Sequence, residues 1–388
     1  MTIAPPATIG MLGGGQLGRY AIVAAGTMGY GTVVLDPDAS APAGRVADEH
    51  LVAAFDDPAA LDELATRCAV VTSEFENPPA AALERLALGT SVAPQPSAVA
   101  IAQDRIVEKQ FLADQGVPIA PYAAVVEPAD LAAAAAAVGT PAVLKTARLG
   151  YDGKGQHDVR AAADLAAAWH ALGDVPCVLE RRVPLDAEVS VVLGRASDGK
   201  SVVYPVAENH HRDGILDLTV VPARVPGSTT MEAQRLATRI ADALAYVGVL
   251  AVELFVSGGR LLVNELAPRP HNSGHWTLDA ARTSQFAQQI RAITGAALGD
   301  PSMTASAVAM VNLLGDLWLR DGADPVEPDW SATLADPNAR LHLYGKRQPR
   351  PGRKMGHVTV VGETTEEVAS RAMALRATMT RASPGCGR

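Results

Sequence analysis

The 388-residue sequence has little of several features that would mark a particular class of protein. It has three cysteines, Cys68, Cys177 and Cys386, which lie far apart and in no metal-binding spacing. This sparse, odd-numbered set argues against a disulfide framework and favours a reducing compartment. No basic-then-apolar leader opens the sequence, and no apolar run approaches the roughly 20 residues that span a bilayer. We therefore expect a cytoplasmic protein that does not contact a membrane.

Positive charge is also scarce, because the formal net charge is -9. Proteins that grip a nucleic-acid backbone usually carry a basic stripe, so we expect no nucleic-acid partner. Only six of the 33 basic residues are lysines. Where arginine is the default cation, a retained lysine marks a position that needs a compact ammonium group, although chance on a solvated face explains any one of them equally well.

What the sequence does have is enough apolar content, 48%, for two or three domains that each bury a core. In the first hundred residues, strands alternate with helices, which predicts a parallel sheet covered by helices. The predicted strands are 7–12, 32–36 and 69–73, with a helix at 16–25. Pro94-Gln95-Pro96-Ser97 is expected to end this domain.

Further along, the pattern predicts one helix over 98–115, another over 131–138 and a long one over 231–246. Strands are predicted at 141–145, 177–181, 188–193, 251–255 and 261–266, with a hairpin turn around Ser257-Gly258-Gly259. A strand at 307–313 opens a last region that ends in a helix from Thr365. The final residues, 381–388, are expected to be a frayed tail.

The run Gly13-Gly14-Gly15-Gln16-Leu17-Gly18 follows a strand and opens a helix, as in dinucleotide-binding folds. Asp36 closes the next strand, where such a fold places the acid that binds ribose. The physical basis is broader than NAD, because a helix N-terminus offers N–H donors and a positive dipole end to any phosphate. The sequence predicts a phosphate site here and leaves its ligand open, with a plain strand-to-helix turn as the alternative.

The middle of the chain has a second set of phosphate-binding features. Lys145 lies on an apolar strand, where an unpaired ammonium group would be costly. The glycine-rich segment 150–156 follows it and includes Lys154, as suits a loop that closes over phosphates with its backbone N–H groups. A surface turn is the alternative interpretation.

Glu253 and Glu265 form the strongest pair of candidate residues. If the hairpin loop is the three residues centred on Gly259, the two glutamates are cross-strand partners on one face. Two carboxylates held together need a shared proton or a divalent cation, and Mg²⁺ is the simpler hypothesis. A two-residue loop would place them on opposite faces.

These residues together resemble the ATP-grasp superfamily, and more narrowly the 5-(carboxyamino)imidazole ribonucleotide synthase family. The resemblance extends from about residue 8 to about residue 377, and its most specific segments are NELAPRPHNSGHW at 264–276 and PGRKMGH at 351–357. It implies an α/β and α+β protein: a Rossmann-like parallel-sheet domain (1–100), an ATP-grasp domain (101–298, with a lid at about 120–185) and a small C-terminal domain (299–380).

The resemblance also implies roles for individual residues. Glu253 and Glu265 would hold Mg²⁺, while Lys145, Asp152, Arg269 and His271 would be catalytic. The ATP site would comprise Arg105, Lys145, Gly150, Tyr151, Asp152, Gly153, Lys154, Gly155, Gln156, Glu180, Arg181, Arg182, Val183, Glu188, His211, Asn264 and Glu265. The nucleotide substrate would contact Gly15, Gln16, Leu17, Glu76, Tyr151, Asp152, Arg269, His271, Asn272, Ser273, Lys346 and Arg353.

The implied reaction is carboxylation of the amine of 5-aminoimidazole ribonucleotide, with ATP, Mg²⁺ and bicarbonate, by a homodimer. Three alternatives remain: an ATP-grasp ligase that uses another acid such as formate, an NAD-dependent dehydrogenase, and a non-catalytic nucleotide-binding module. The dehydrogenase hypothesis does not explain why Glu253 and Glu265 are paired. A non-catalytic module would be expected to lack a magnesium carboxylate or the lid lysine.

Overall fold

The computed structural model describes residues 2–150, 153–319 and 324–379. Tyr151, Asp152 and the predicted tail 381–388 lie outside these ranges. In the described part, no helix has both the length and the hydropathy needed to cross a membrane.

The N-terminal region is a parallel sheet with helices on its faces, as predicted. Its strands, in the spatial order β3-β2-β1-β4-β5, are Thr8–Leu12 (β1), Gly31–Leu35 (β2), Glu49–Leu51 (β3), Val70–Ser73 (β4) and Ser91–Val92 (β5). The accompanying helices are Gln16–Thr27 (α1), Pro58–Arg67 (α2), Ala80–Gly89 (α3) and Pro96–Gln103 (α4). Strand β1 is buried from Ile9 onward, as expected for a central strand of such a sheet.

The predicted single helix over 98–115 is wrong, because the chain breaks at Asp104. This residue is extended (φ -126°, ψ 110°), and its carboxylate accepts hydrogen bonds from the amides of Ile106 and Val107 at 3.0 and 3.4 Å. An aspartate in this position is an N-cap, and it starts a new helix, Arg105–Asp114 (α5).

The middle region contains a small antiparallel sheet, the lid sheet, in the order β6-β9-β7-β8, and most of a larger one. The strands are Tyr122–Val125 (β6), Ala142–Thr146 (β7), Gln156–Val159 (β8), Cys177–Arg181 (β9), Ala187–Arg195 (β10), Ser201–Val203 (β11), Ala207–Arg212 (β12), Ile215–Val221 (β13), Gly248–Ser257 (β14) and Arg260–Ala267 (β15). The helices are Asp130–Val138 (α6), Leu165–Ala171 (α7), Gly227–Ala243 (α8), Thr277–Ala280 (α9) and Gln285–Thr294 (α10). Helix α8 covers the core on strands β10 and β14, while α10 packs against α1.

The C-terminal region continues the larger sheet rather than forming one of its own. It adds Ala307–Leu314 (β16), Ala339–Leu343 (β17) and Lys354–Gly362 (β18), with helices Ser331–Ala335 (α11) and Thr365–Thr378 (α12). Strand β16 pairs with β13, so the sheet runs β15-β14-β10-β12-β13-β16-β18-β17, with β11 paired to β10. The predicted mixed α/β and α+β architecture is confirmed.

The hairpin β14–β15 has the predicted pairing of its two glutamates, but its loop length differs from the predicted one. Its loop is the two residues Gly258 and Gly259, both at positive φ, and not three. A β-bulge then inserts one extra residue, Asn264, so that Leu254 pairs with Val263 while Glu253 pairs with Glu265. The three-residue loop is therefore wrong, but the two glutamates are cross-strand partners.

Helix α5 holds this bulge from the side. The Lys109 ammonium donates to the carbonyl oxygen of Asn264 at 2.7 Å, and the Glu108 carboxyl accepts from the amide of Leu266 at 2.6 Å. Both side chains are buried. Burial raises the pKa of Glu108 to about 8, although Lys109 and Arg105 act in the opposite direction.

Replacing Glu108 by Gln tests this assignment through the pH dependence of stability. A carboxyl with a raised pKa stays protonated in the folded protein but ionises on unfolding above its ordinary value of 4.5. Its contribution to stability is therefore lost as the pH rises from about 4.5 to about 8. Glutamine keeps an oxygen acceptor for Leu266 and does not titrate.

We expect the free energy of unfolding of Glu108→Gln, relative to wild type, to increase with pH across that window, by on the order of 1 kcal/mol per pH unit. Urea unfolding at several pH values measures the difference, with the exposed Glu84→Gln as the control for loss of an acid. Parallel stability curves for wild type and Glu108→Gln would show that Glu108 is ionised in the fold.

Candidate active site

A cavity of about 670 Å³ opens between the lid sheet, the larger sheet and the N-terminus of α1. Most residues assigned from the sequence line it: Gln16, Leu17, Glu76, Arg105, Lys145, Gly150, Gly153, Lys154, Gly155, Gln156, Glu180, Arg181, Arg182, Val183, Glu188, His211, Glu253, Asn264, Glu265, Arg269, His271 and Asn272. One space thus joins the two sets of residues predicted to bind ATP and the second nucleotide.

Among the described residues, four of the assigned ones do not line the cavity: Gly15, Ser273, Lys346 and Arg353. Conversely, the wall includes Lys354 and the apolar side chains Val143, Leu216 and Phe255, which the sequence analysis did not assign. Lys354 carried a signal, since it is one of the scarce lysines in a basic loop. The apolar residues carried none, because alternation along a strand does not distinguish a cavity wall from a core.

A buried cluster of charges lies at the inner end of the lid sheet. The Glu180 carboxylate is 3.2 Å from the ammonium nitrogen of Lys145 and 3.2 Å from that of Lys109. Burial raises the pKa of Glu180, but Lys109, Lys145 and Arg105 outweigh it and lower the pKa to about 2. Burial also lowers the pKa of Lys145. Glu180 acts in the opposite direction, while Lys109 and Arg105 lower the pKa further. The cluster has more cations than anions, which suits it to phosphate.

The paired glutamates are each bonded to one cationic or imidazole group. Arg105 donates to Glu265 at 2.8 Å, and the Nε2 of His271 is 3.0 Å from Glu253. Burial raises the pKa of Glu265, but Arg105 and Lys145 outweigh it and lower it to about 2, so this carboxylate is ionised. Each of these two contacts engages one carboxylate oxygen, Oε2 of Glu265 and Oε1 of Glu253.

This donor set fits a magnesium ion. Hard carboxylate oxygens are the ligands that Mg²⁺ prefers, and it binds through one or two of them together with substrate phosphates. Glu253 and Glu265 face each other across the hairpin, and each keeps a second oxygen beyond the contact described above. The residues that would hold the ion are thus in place at the cavity wall.

His211 and Glu188 form a further pair on the wall. The Nδ1 of His211 is 2.8 Å from a carboxylate oxygen of Glu188. Burial lowers the pKa of His211, but Glu188 and Glu253 outweigh it and raise the pKa above its usual value. A more readily protonated imidazole adds positive charge to the predicted ATP site.

The glycine-rich turn before α1 is occupied by the protein's own carboxylates. Glu74 accepts from the amides of Gly15 and Gly18 at 2.6 and 2.9 Å, and Asp36 accepts from the amide of Gly14 at 2.7 Å. A Cβ on residue 15 would lie only 2.3 Å from a Glu74 oxygen, so a side chain there would displace the Glu74 carboxyl group from these amides. Asp36 is therefore engaged with the turn, which removes the ribose ligand of the dehydrogenase hypothesis. The amides of Gln16 and Leu17 remain for an anion in the cavity.

The C-terminal basic loop lies beside this turn. Arg45 donates to the carbonyl oxygen of Gly345 at 3.2 Å. Hydrogen bonds from Ser40 lower the pKa of Asp38, and the nearby Arg353 and Arg347 lower it further. Arg353 is thus close enough to Asp38, which follows strand β2, to affect its pKa. Its guanidinium donates to the carbonyl oxygen of Gln348 at 2.7 Å.

Behind the cavity, a cluster of aromatic and imidazole rings joins the three regions. Tyr20 of α1 contacts His275, His342 and His357. Asp279, His342 and His357 bring possible metal ligand atoms within 4.8 Å of one another. The rings of His342 and His357 are stacked, however, 4.5 Å apart and 13° from parallel. An imidazole binds a metal in its ring plane, so stacked rings do not share an ion, and we interpret the cluster as packing.

Three domain families match the chain in order. Residues 6–103 match the ribonucleotide synthetase preATP-grasp domain, residues 110–286 the ATP-grasp domain, and residues 308–371 the phosphoribosylaminoimidazole carboxylase C-terminal domain.

Individual relatives cover nearly the whole chain. The N5-carboxyaminoimidazole ribonucleotide synthase of Brucella melitensis is 45% identical over 94% of this chain and 99% of its own. That of Bacillus subtilis is 42% identical over 94% of both chains. A solved structure of the Aspergillus clavatus N5-carboxyaminoimidazole synthase, in complex with ADP and 5-aminoimidazole ribonucleotide, superposes with a TM-score of 0.87. It is 32% identical and covers 96% of this chain and 98% of that one.

The cavity with its lysine, glycine-rich loop and paired glutamates therefore occurs in a chain that these relatives match over at least 94% of its length. The chain belongs to the N5-carboxyaminoimidazole ribonucleotide synthase family of ATP-grasp enzymes.

Proposed function

We propose that the protein is a ligase that carboxylates the exocyclic amine of 5-aminoimidazole ribonucleotide, using ATP and bicarbonate and releasing ADP and phosphate. The observation that carries the proposal is the single cavity shared by Lys145, Glu253 and Glu265 on one side and by Gln16, Leu17, Arg269 and His271 on the other. Two nucleotides that react through a small intermediate need such a shared space.

The ATP half of the cavity supplies positive charge where phosphate charge develops. Lys145, Arg105, Gly153 and Gly155 line this half. The two cations would face the phosphates, and the lid-loop amides of the two glycines would cover them. Glu253 and Glu265 would hold Mg²⁺, which offsets charge on the transferred phosphoryl group. Bicarbonate oxygen attacks the γ-phosphorus, the bond to ADP breaks, and carboxyphosphate forms.

The substrate half positions the amine that captures the carboxyl group. The 5′-phosphate would bind the amides of Gln16 and Leu17, with the basic loop closing from the other side. The amine attacks carboxyphosphate, or CO₂ released from it, so a C–N bond forms, phosphate leaves and the amine loses a proton. Asp152 is assigned to the amine by resemblance and lies outside the described residues. The ion pair of Arg269 with Glu76 fixes the wall between the halves.

The rival functions fit the site less well. A dinucleotide needs the glycine-turn amides that Glu74 and Asp36 occupy. The Brucella melitensis and Bacillus subtilis relatives are named for the carboxyamino product, which favours bicarbonate over formate as the acid.

We also propose the division into domains at about residues 100 and 298, a cytoplasmic location and a homodimeric state.

The reaction itself can be tested with the purified protein, ATP, bicarbonate and 5-aminoimidazole ribonucleotide. We expect ADP and the carboxyamino nucleotide in equal amounts, detected by ³¹P NMR and by incorporation of labelled bicarbonate. Glu265→Gln removes one magnesium carboxylate and should lower turnover by at least about 100-fold. The exposed Glu363→Gln is the control. Near-normal turnover by Glu265→Gln at ordinary Mg²⁺ would exclude the proposed pair of ligands, and a lack of labelled product with wild type would exclude the reaction.

A second prediction tests the assignment of the basic loop to the substrate phosphate. A charge-assisted hydrogen bond to phosphate contributes roughly 1.5–3 kcal/mol, so Arg353→Ala should raise the KM for 5-aminoimidazole ribonucleotide about 10- to 100-fold. The affinity of the apoenzyme for ATP should be nearly unchanged, as measured by calorimetry. Arg340→Ala, an exposed arginine on β17, is the matched control. Weakened ATP binding with an unaltered KM for the nucleotide would place the loop in the ATP site instead.

A further inference from the structure

A chain of buried hydrogen bonds runs from the larger sheet to the active-site imidazole of His271. It crosses three neighbouring strands, β13, β12 and β10, and every side chain between the sheet and the imidazole is at most 4% exposed. The successive contacts are Thr219 to Asn209 at 3.0 Å, Asn209 to Ser190 at 2.9 Å, Ser190 to Ser273 at 2.8 Å and Ser273 to His271 at 2.8 Å.

Sheet register places these residues side by side. Asn209 and Thr219 are direct cross-strand partners, and Ser190 is the cross-strand partner of Glu253. The chain therefore ends at the same wall that presents the paired glutamates. Polar side chains at such depth are usually retained for a hydrogen-bonding purpose, because burying them without partners is costly.

The direction in which each hydrogen bond of this series is donated follows from the groups at its two ends, His271 and Thr219. The backbone amide of Ser273 lies 3.3 Å from the Nδ1 of His271, and an amide N–H can only donate. Nδ1 must then be an acceptor, so the hydroxyl of Ser273 donates to it as well. Each hydroxyl has one proton, which means that Ser273 accepts from Ser190, and Ser190 accepts from the amide group of Asn209.

The hydrogen bond at the other end of the series, between Thr219 and Asn209, agrees with this direction. With its NH₂ group directed at Ser190, Asn209 presents its oxygen to Thr219, whose hydroxyl donates to it. All protons in the chain therefore point toward His271. A ring whose Nδ1 accepts carries its proton on Nε2, and Nε2 is the atom 3.0 Å from Glu253.

We propose that Thr219, Asn209, Ser190 and Ser273 are positioning residues that fix the ring orientation of His271 and hold its proton on Nε2. The Nε2–H group then faces Glu253 and the cavity as a hydrogen-bond donor. The part that His271 plays in carboxylation rests on the proposed function, whereas its tautomer does not.

This arrangement limits what His271 can do in the proposed reaction. A nitrogen that already carries a proton does not accept one, so the proton lost by the attacking amine goes to a different group. The Nε2–H group instead donates to Glu253, and it thereby orients a carboxylate that is a proposed ligand of Mg²⁺.

The tautomer is measured directly on the apoprotein labelled with ¹⁵N-histidine. Long-range ¹H–¹⁵N correlation spectra distinguish a proton on Nε2 from one on Nδ1, and His271→Gln identifies the signal. We expect the Nε2–H form. A proton on Nδ1 in the wild-type protein would overturn the proposal, and this readout is independent of the reaction that the enzyme catalyses.

Two substitutions test whether the distant residues set this state. Asn209→Asp replaces the donor to Ser190 by an acceptor and should reverse the chain, so we expect a detectable population with the proton on Nδ1. Ser190→Ala interrupts it. Each should lower kcat about tenfold, the effect of about one lost hydrogen bond, while the KM for ATP changes less than about twofold.

Thr359→Val is the matched control, because Thr359 is a fully buried threonine of the same sheet that is not part of the chain. Ser190→Thr keeps the hydroxyl and should restore kcat. If Asn209→Asp fails to fold, Ser190→Ala and Ser190→Thr decide the question with the same readouts. Folded variants with the wild-type tautomer and a kcat equal to that of Thr359→Val would overturn the proposal. Absence of carboxylation by wild type with an Nε2–H signal would refute the proposed function alone.

Discussion

The candidate active site depends on a single extra residue in a hairpin. Without the bulge at Asn264, the two-residue loop of Gly258 and Gly259 would place Glu253 and Glu265 on opposite faces of the sheet. The bulge is stabilised by contacts with α5, whose Lys109 also bonds the Glu180 carboxylate. One helix thus sets both the carboxylate pair and the charge cluster under the lid sheet. The Coulomb interactions that lower the pKa of Glu180 and Glu265 follow from that placement.

The sequence predicted those parts of the site that depend on local pattern. Alternating strands and helices gave the N-terminal parallel sheet, and the apolar strand before the glycine-rich loop identified Lys145. It also predicted the register of the two glutamates, but from a loop length that is wrong. The compensating bulge is fixed by a lysine 155 residues away in the chain, and no local pattern carries that information. The break at Asp104 differs, since an aspartate two residues before the bonded amide is a recognisable N-cap signal.

The glycine-rich turn shows why such a motif alone does not define its ligand. Its amides satisfy a helix N-terminus, and any oxygen anion of suitable position serves that need. Here Glu74, 56 to 59 residues further along, provides two of the oxygens. A sequence reader sees the donors but not the acceptor, because the pairing of β1 with β4 brings them together only in the fold.

The pairing of β13 with β16 has a mechanical consequence for the enzyme. Because those strands share a backbone hydrogen-bond ladder, the basic loop between β17 and β18 is connected to the glutamate hairpin through one unbroken sheet. These backbone hydrogen bonds hold the glutamate hairpin and the basic loop in a fixed relation to each other. The lid sheet belongs to a separate ladder. The lid sheet can therefore shift relative to the hairpin without breaking a backbone hydrogen bond of the larger sheet.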